Sequence, residues 1–160
     1  MPPALDYSPP PTAADAARGP FRPARIGWLQ RGAMVLAGSV LVGLLITAAW
    51  LTPSRRGMGT HKQLGLPDCT IVQLFGMRCP SCGMTTSWSH MMRGRVISSF
   101  QANAGGALLA LASLACGPWL VVSGLRGRWT LAQPHEGTVL VVGVTIIVVT
   151  LADWTLRVWI

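Results

Sequence analysis

The sequence predicts an all-α integral membrane protein with three transmembrane helices, and three observations support this fold class. Of the 160 residues, 51% are hydrophobic and only 11% are charged, whereas soluble domains carry about a quarter charged residues. Three long runs of the chain contain no charged residue. Six of the seven tryptophans stand near the ends of these runs, where an indole ring favours the membrane–water interface. A lipid bilayer is therefore the expected environment of the chain.

The first 31 residues are expected to form a disordered arm. Residues 1–23 contain seven of the twelve prolines together with many alanines, and this composition does not build a packed core. The first apolar run begins too far from the N-terminus, and is too long, for a typical cleaved signal peptide. We expect an uncleaved signal anchor instead.

The first two transmembrane helices are predicted over residues 33–51 and 100–125. The run Ala33–Leu51 holds 19 residues, which cross about 28 Å as a helix and so match the hydrocarbon core of a bilayer. The second run contains Gly117 and Pro118, a pair that kinks a membrane helix without ending it.

The third transmembrane helix is predicted over residues 138–159. Only its first 15 residues are free of charge, so it spans the bilayer if its last turns reach the interface through Trp154 and Trp159. Asp153 and Arg157 are four residues apart and are expected to form an ion pair there.

The net charge of +8 does not indicate a nucleic-acid-binding protein. The basic residues flank the apolar runs, and they do not form one face with interleaved aromatic residues. We therefore expect the lipid bilayer as the partner, and no nucleic acid.

The loop between the first two spans, residues 52–99, is the only segment outside the spans that is long enough to carry a site. Met84, Trp88 and Met91 recur at helical spacing, which predicts a short amphipathic interfacial helix over residues 84–93. Its apolar face either lies on the bilayer or packs against the spans, with Trp88 as the anchor. Gly94 is expected to end this helix.

Three of the four cysteines lie in this loop, and they are the candidate functional residues. Cys69, Cys79 and Cys82 make an odd number of loop thiols, which argues against a fully paired disulfide framework. Cys116 falls inside the second span, where we expect it to pack as a small residue.

One interpretation of the thiols is a zinc site. The run Cys-Pro-Ser-Cys-Gly is similar to the knuckles of zinc ribbons, in which a tight turn directs two thiolates at one ion. Cys79 and Cys82 would be joined by Cys69 as third ligand and His61 as fourth. His90 is a poorer ligand because it stands two helical turns beyond Cys82.

A second interpretation is thiol–disulfide exchange, with Cys79 as an exposed nucleophile and Cys82 as the resolving thiol. A third is purely structural. In that case Pro80 and Gly83 shape the start of the helix, Thr85 or Thr86 caps it, and the cysteines pack as small hydrophobic residues.

The chain also resembles a bacterial membrane family, domain of unknown function 2752. The resemblance rests on Cys69, Gly76, the run from Cys79 through Met84 to Thr85, Gly94, and Asn103 at the start of the next span. Many members have arginine where this chain has Thr86, and proline where it has Ala104. The resemblance implies a multi-pass helical protein of the bacterial cytoplasmic membrane, and it implies no established activity.

We therefore expect a small membrane protein that is more plausibly a non-enzymatic component than an enzyme. It would act alongside a membrane-protein partner or as a homo-oligomer. No cofactor is predicted, apart from zinc under the metal-site interpretation. The alternatives are a membrane thiol–disulfide oxidoreductase using Cys79 and Cys82, and a zinc-binding module.

Overall fold

The computed structural model describes residues 26–67, 69–131 and 133–159, and it confirms the all-α fold class. Most of the predicted N-terminal arm, residues 1–25, lies outside the described residues. The described helices are α1 (Trp28–Trp50), α2 (Thr70–Phe75), α3 (Met84–Met91), α4 (Val96–Ala102), α5 (Ala104–Arg126) and α6 (Glu136–Trp159), with a 3₁₀ helix at Thr60–Leu64.

Three of these helices, α1, α5 and α6, are long and apolar enough to span a membrane. They contain 23, 23 and 24 residues, which correspond to about 35 Å of helix each. The third span therefore reaches the required length by continuing through Asp153 to Trp159. Helix α1 begins at Trp28, five residues before the first charge-free run.

Helices α1 and α5 pack closely because glycines lie where they cross. A Cβ atom at Gly38 would come within 2.8 Å of the carbonyl oxygen of Gly117, and one at Gly124 within 2.7 Å of a Val35 methyl carbon. The Arg31 side chain donates to the carbonyl oxygens of Gly124 and Leu125, both 3.0 Å away. Arg31 thus satisfies carbonyls at the end of α5, which explains why α1 includes this charged residue. The two helices run antiparallel.

The predicted second span is divided in two at Asn103. This residue is extended, with φ −166° and ψ 112°, so α4 ends at Ala102 and the spanning helix begins at Ala104. Helix α5 then continues through Pro118 to Arg126.

Helix α6 is attached to the start of α5 by its C-terminal part. Asp153 and Arg157 form the predicted ion pair, 2.9 Å long. The second carboxylate oxygen of Asp153 accepts from the backbone N–H of Ala104 at 3.3 Å, and Arg157 donates to the carbonyl oxygen of Ala102 at 2.7 Å. The pair therefore joins α6 to the α4–α5 junction.

The helix predicted over residues 84–93 is present as α3, and it packs against the spans. Trp88 is only 7% exposed. It belongs to a buried cluster with Leu45, Ala48, Met91, Ala107 and Ala110. The hydroxyl-bearing residues Thr86, Ser87 and Ser89 are buried as well, so α3 is enclosed on both its apolar and its polar side. Residues 51–67 and 69–102 thus form a cap on one end of the helix bundle.

Candidate thiol site

The three loop cysteines come together in the cap. The Sγ atoms of Cys69 and Cys79 lie 3.4 Å apart, and those of Cys79 and Cys82 lie 3.5 Å apart. All three sulfurs lie within 4.8 Å of one another. Cys116, on α5, is outside this group, as the sequence suggested.

The turn that holds Cys79 and Cys82 is built from local hydrogen bonds. The N–H of Cys82 donates to the carbonyl oxygen of Cys79 at 3.0 Å, and the N–H of Met84 donates to that of Ser81 at 3.1 Å. This double turn ends at Gly83, where α3 begins. It brings the two sulfurs of the motif to the same side, as a metal-binding knuckle requires.

Gly83 permits a close approach of three chain segments. Its φ of +89° is rare for residues with a side chain, and a Cβ atom would lie 2.5 Å from the Ala102 carbonyl oxygen and 2.7 Å from that of Gly57. The cysteine turn is therefore seated directly on the α4–α5 junction and on the loop after α1.

Asn103 fastens the cysteine turn to α5. Its Oδ1 accepts from the N–H of Gly106 at 2.7 Å and so caps the helix. Its Nδ2 donates to the carbonyl oxygens of Pro80 and Cys82, at 3.0 and 3.2 Å. The family resemblance suggested only that Asn103 stands at the start of the second span. Its contact with the thiol motif could not be inferred from the sequence.

Cys69 enters the site from the start of α2. The backbone N–H groups of Val72 and Ile71, together with the Cys79 thiol, lower the pKa of Cys69. Val72 contributes most, and the amides at the start of a helix favour a negative charge. Cys69 is therefore the cysteine of the cluster for which the structure favours the thiolate.

Cys79 has the opposite character. It is buried, at 9% exposure, and burial together with its contacts to Cys69 and Cys82 raises its pKa to about 11. The sequence predicts Cys79 as the exposed nucleophile, and the observed burial of its side chain is the reverse of that expectation. Cys69 and Cys82 are the more accessible thiols.

A cavity of about 330 Å³ lies over the three sulfurs. Basic side chains share its wall with the cysteines, namely Arg56, His61 and Lys62. His61 is outside the group of three sulfurs, and its Nε2 lies 3.2 Å from the carbonyl oxygen of Pro67. His61 therefore lies on the cavity wall but not among the clustered thiols, and its role as a fourth zinc ligand stays a prediction.

His90 neither lines this cavity nor joins the sulfur group. Burial, and then the charges of Arg95 and Arg93, lower its pKa.

Buried hydroxyl groups hold the cap together, and sequence reasoning missed their partners. Thr86 and Thr60 pair through their hydroxyls at 2.7 Å, and the Ser87 and Ser99 hydroxyls pair at 2.9 Å. Ser89 donates to the carbonyl oxygen of Leu51 at the end of α1. The hydroxyl-bearing residues Thr86, Ser87 and Ser89 are visible in the sequence, but their partners lie 12 to 38 residues away.

The sulfur positions suit a thiophilic metal ion. A tetrahedral ion with metal–sulfur bonds of about 2.3 Å separates its sulfur ligands by about 3.8 Å. The two closest sulfur pairs, at 3.4 and 3.5 Å, lie within a few tenths of an ångström of that value. The donor set of three cysteines is one that zinc sites use.

One known protein family matches the part of the chain that carries this site. Residues 69–117 match the family described as Protein of unknown function (DUF2752). The match confirms the resemblance to DUF2752 drawn from the motif, and it runs from Cys69 into α5. All three clustered cysteines and Asn103 lie inside the DUF2752 region, whereas Arg56, His61 and Lys62 precede it. Searches of curated proteins and of solved structures give no match.

Proposed function

We propose that this chain is a non-enzymatic, zinc-binding protein of the bacterial cytoplasmic membrane, in which Cys69, Cys79 and Cys82 are the metal ligands. The observation that supports the proposal most directly is the convergence of three sulfurs within 4.8 Å, across the loop that separates α2 from α3. Three thiols at this separation are difficult to explain by disulfide pairing, because a bond between any two leaves the third beside it.

The charges around the cluster also favour a metal ion. Burial, followed by the contacts with Cys69 and Cys82, raises the pKa of Cys79, so this thiol does not readily ionise without a cation beside it. A divalent cation removes this obstacle because coordinated thiols lose their protons. The positive side chains of Arg56 and Lys62 on the same cavity wall would further offset the thiolate charge.

Zinc at this position would cross-link the start of α2 to the turn before α3. The fourth ligand would come from the cavity, where His61 is a side chain of the required type. Asn103 would act as a positioning residue, because it binds the carbonyl oxygens of Pro80 and Cys82.

The test is the metal content of purified full-length protein, measured by inductively coupled plasma mass spectrometry. We expect about one zinc per chain, lost in Cys79→Ser and retained in Cys116→Ser, which removes the cysteine outside the group. Protein that is folded and reduced yet free of zinc, even after incubation with zinc salt, would refute the proposal.

A second candidate function is thiol–disulfide exchange, favoured by the contact of the Cys79 sulfur with both other sulfurs. The Cys69 thiolate would attack a partner disulfide and release one partner thiolate. Cys79 would then give its proton to that released thiolate and attack the Cys69 sulfur, which releases the second partner thiolate. The two electrons reduce the partner to a dithiol and leave a Cys69–Cys79 disulfide.

Counting alkylated thiols with and without prior reduction separates the two functions. Oxidoreductase activity predicts that two of the four cysteines become available only after reduction. Zinc binding predicts that chelation exposes thiols without any reductant.

A further inference from the structure

Helix α2 exposes an apolar face outside the three spans. Ile71, Leu74 and Phe75 share one side of the helix because they are spaced i, i+3 and i+4, and Met77 follows them. Leu74 and Phe75 are 71% and 67% exposed, and α2 contains no buried residue. We call these four side chains the α2 apolar patch.

The rest of the described chain offers little to stabilise α2. Six residues are too few for a helix to persist alone in water, since isolated helices need about 12 to 15. Helix α2 packs against none of the other described helices. Two contacts hold the segment around α2. Before the helix, the Cys69 sulfur contacts the Cys79 sulfur, and after it, the carbonyl oxygen of Arg78 accepts a hydrogen bond from Trp154. The described part of the chain therefore leaves α2 in need of further support.

The position of Arg78 relates α2 to the level of the bilayer surface. The indole N–H of Trp154 donates to the Arg78 carbonyl oxygen at 2.6 Å, and Trp154 stands in the last two turns of the membrane-spanning helix α6. Trp159, one turn further, is 83% exposed. Tryptophans at the end of a span mark the interfacial layer, so Arg78, three residues after the end of α2, stands at the level expected for the lipid headgroups.

The positive charge of the segment around α2, residues 52–99, favours contact with anionic lipids. Residues 52–99 contain six basic residues and a single acidic one. The basic residues are Arg55, Arg56, Lys62, Arg78, Arg93 and Arg95. Each basic residue near an anionic membrane surface contributes about 1 kcal/mol of attraction.

We propose that the α2 apolar patch inserts into the headgroup layer of the surrounding bilayer and that anionic lipids hold it there through exposed basic side chains of this segment, above all Arg78, which directly follows the patch. An amphipathic helix with an apolar face and basic flanks binds a membrane in this way. Because Cys69 stands at the start of α2, insertion also holds its sulfur against Cys79. The lipid surface is thus part of the support of the thiol site.

Hydrogen–deuterium exchange of full-length protein in nanodiscs, one chain per disc, tests this inference. Discs containing phosphatidylglycerol should slow the exchange of the α2 amides by about tenfold relative to phosphatidylcholine discs. The double variant Leu74→Gln, Phe75→Gln should lose this protection, and Arg78→Gln should reduce its dependence on anionic lipid. The control Leu131→Gln alters an equally apolar, 83% exposed residue on the opposite loop and should leave α2 exchange unchanged.

Exchange of α3 in the same samples shows whether the variants remain folded. Equal exchange of α2 in both lipids would overturn the proposal, as would retention of the protection by the double variant. Protection that develops only in discs holding two chains would also overturn it, because a second copy would then cover the patch. Zinc bound at Cys69 would also restrain α2, so all samples are prepared with the same zinc content, and a difference between the two lipids then reports on the α2 apolar patch and not on the proposed metal site.

Discussion

The side-chain amide of Asn103 donates a hydrogen bond to the carbonyl oxygen of Cys82, 3.2 Å away, and this contact joins the thiol motif to the start of a membrane-spanning helix. The same side chain caps α5 through Gly106 and binds the carbonyl oxygen of Pro80. With 2% exposure, Asn103 has little access to water that could replace these bonds. One residue therefore controls both the helix end and the geometry of the cysteine turn.

Substitution of Asn103 should separate these two roles. Serine can still accept from Gly106 as an N-cap but is too short to donate to Pro80 and Cys82, so Asn103→Ser should lose about 1 to 2 kcal/mol of stability. Zinc affinity should fall by about tenfold, as for other residues that orient metal ligands. Asn103→Ala also loses the cap and should cost about 1 kcal/mol more.

Unfolding in a detergent titration and competition with a zinc chelator measure the two effects of the Asn103 variants. If Asn103→Ser binds zinc and unfolds like the wild type, then the side-chain amide does not support the cysteine turn.

Gly83 and Gly94 form a matched pair for testing how tightly the cysteine turn is seated. Both have positive φ, +89° and +69°, but only at Gly83 would a Cβ atom meet backbone, whereas at Gly94 nothing lies within 4 Å. Gly94→Ala should therefore cost about 1 kcal/mol, from backbone conformation alone. Gly83→Ala should cost more than about 3 kcal/mol, because the turn must also move away from Ala102 and Gly57.

The same detergent titration, together with zinc content, checks both glycine variants. Equal losses at the two positions would show that the turn is not held against the α4–α5 junction.

The sequence was sufficient to predict the three spans, because charge-free runs of sufficient length have few alternatives to a membrane helix. The residue at which the second spanning helix begins could not be predicted in the same way. Residues 100–125 form one uncharged run, and the break at Asn103 depends on a turn some twenty residues earlier in the chain. The helical pattern around Asn103 carries no local sign of that contact.

The environment of α3 was equally difficult to predict. Its amphipathic pattern is typical of an interfacial helix, but the hydroxyls of Thr86 and Ser87 are buried because Thr60 and Ser99 provide partners. The interfacial position that the pattern indicated for α3 is the one we propose for α2. Periodicity identifies an apolar face, and it does not show whether protein or lipid covers that face.

The candidate cysteines could be selected from their spacing in the sequence. Which of them is buried and which is accessible could not be predicted in that way. Which thiol is buried depends on the packing of the turn between α2 and the α4–α5 junction. That packing encloses Cys79 and leaves Cys69 beside the amides of α2. Cys79, the thiol that was expected to be exposed, is consequently the buried one, and Cys69 is more accessible.

Trp154 and Trp159 offer a second matched pair, on α6. Trp154→Phe removes the indole donor to the Arg78 carbonyl oxygen and keeps an aromatic ring, so we expect a loss of about 1 kcal/mol and faster amide exchange around Cys79. Trp159→Phe changes an 83% exposed ring and should leave the exchange around Cys79 unaltered. Hydrogen–deuterium exchange in one lipid composition makes the comparison, and equal effects of the two substitutions would exclude a specific role for the Trp154 contact.

The pH dependence of thiol alkylation should distinguish Cys69 from Cys79 in zinc-free, reduced protein. Only the thiolate reacts, so the reactivity of Cys69 should have its midpoint below that of an ordinary cysteine and be lost as the pH falls through this lowered pKa. The pKa of Cys79 is raised from 9.0 to about 11, which lowers its thiolate fraction at neutral pH by about a hundredfold. Cys69 should therefore be modified first.

Cys79→Ala should move the midpoint of Cys69 alkylation to higher pH, because the Cys79 thiol helps to lower the Cys69 pKa. Cys79→Ser keeps a hydroxyl donor and should move this midpoint less. Peptide mapping by mass spectrometry after brief iodoacetamide treatment assigns each rate, and faster modification of Cys79 than of Cys69 at neutral pH would contradict this order.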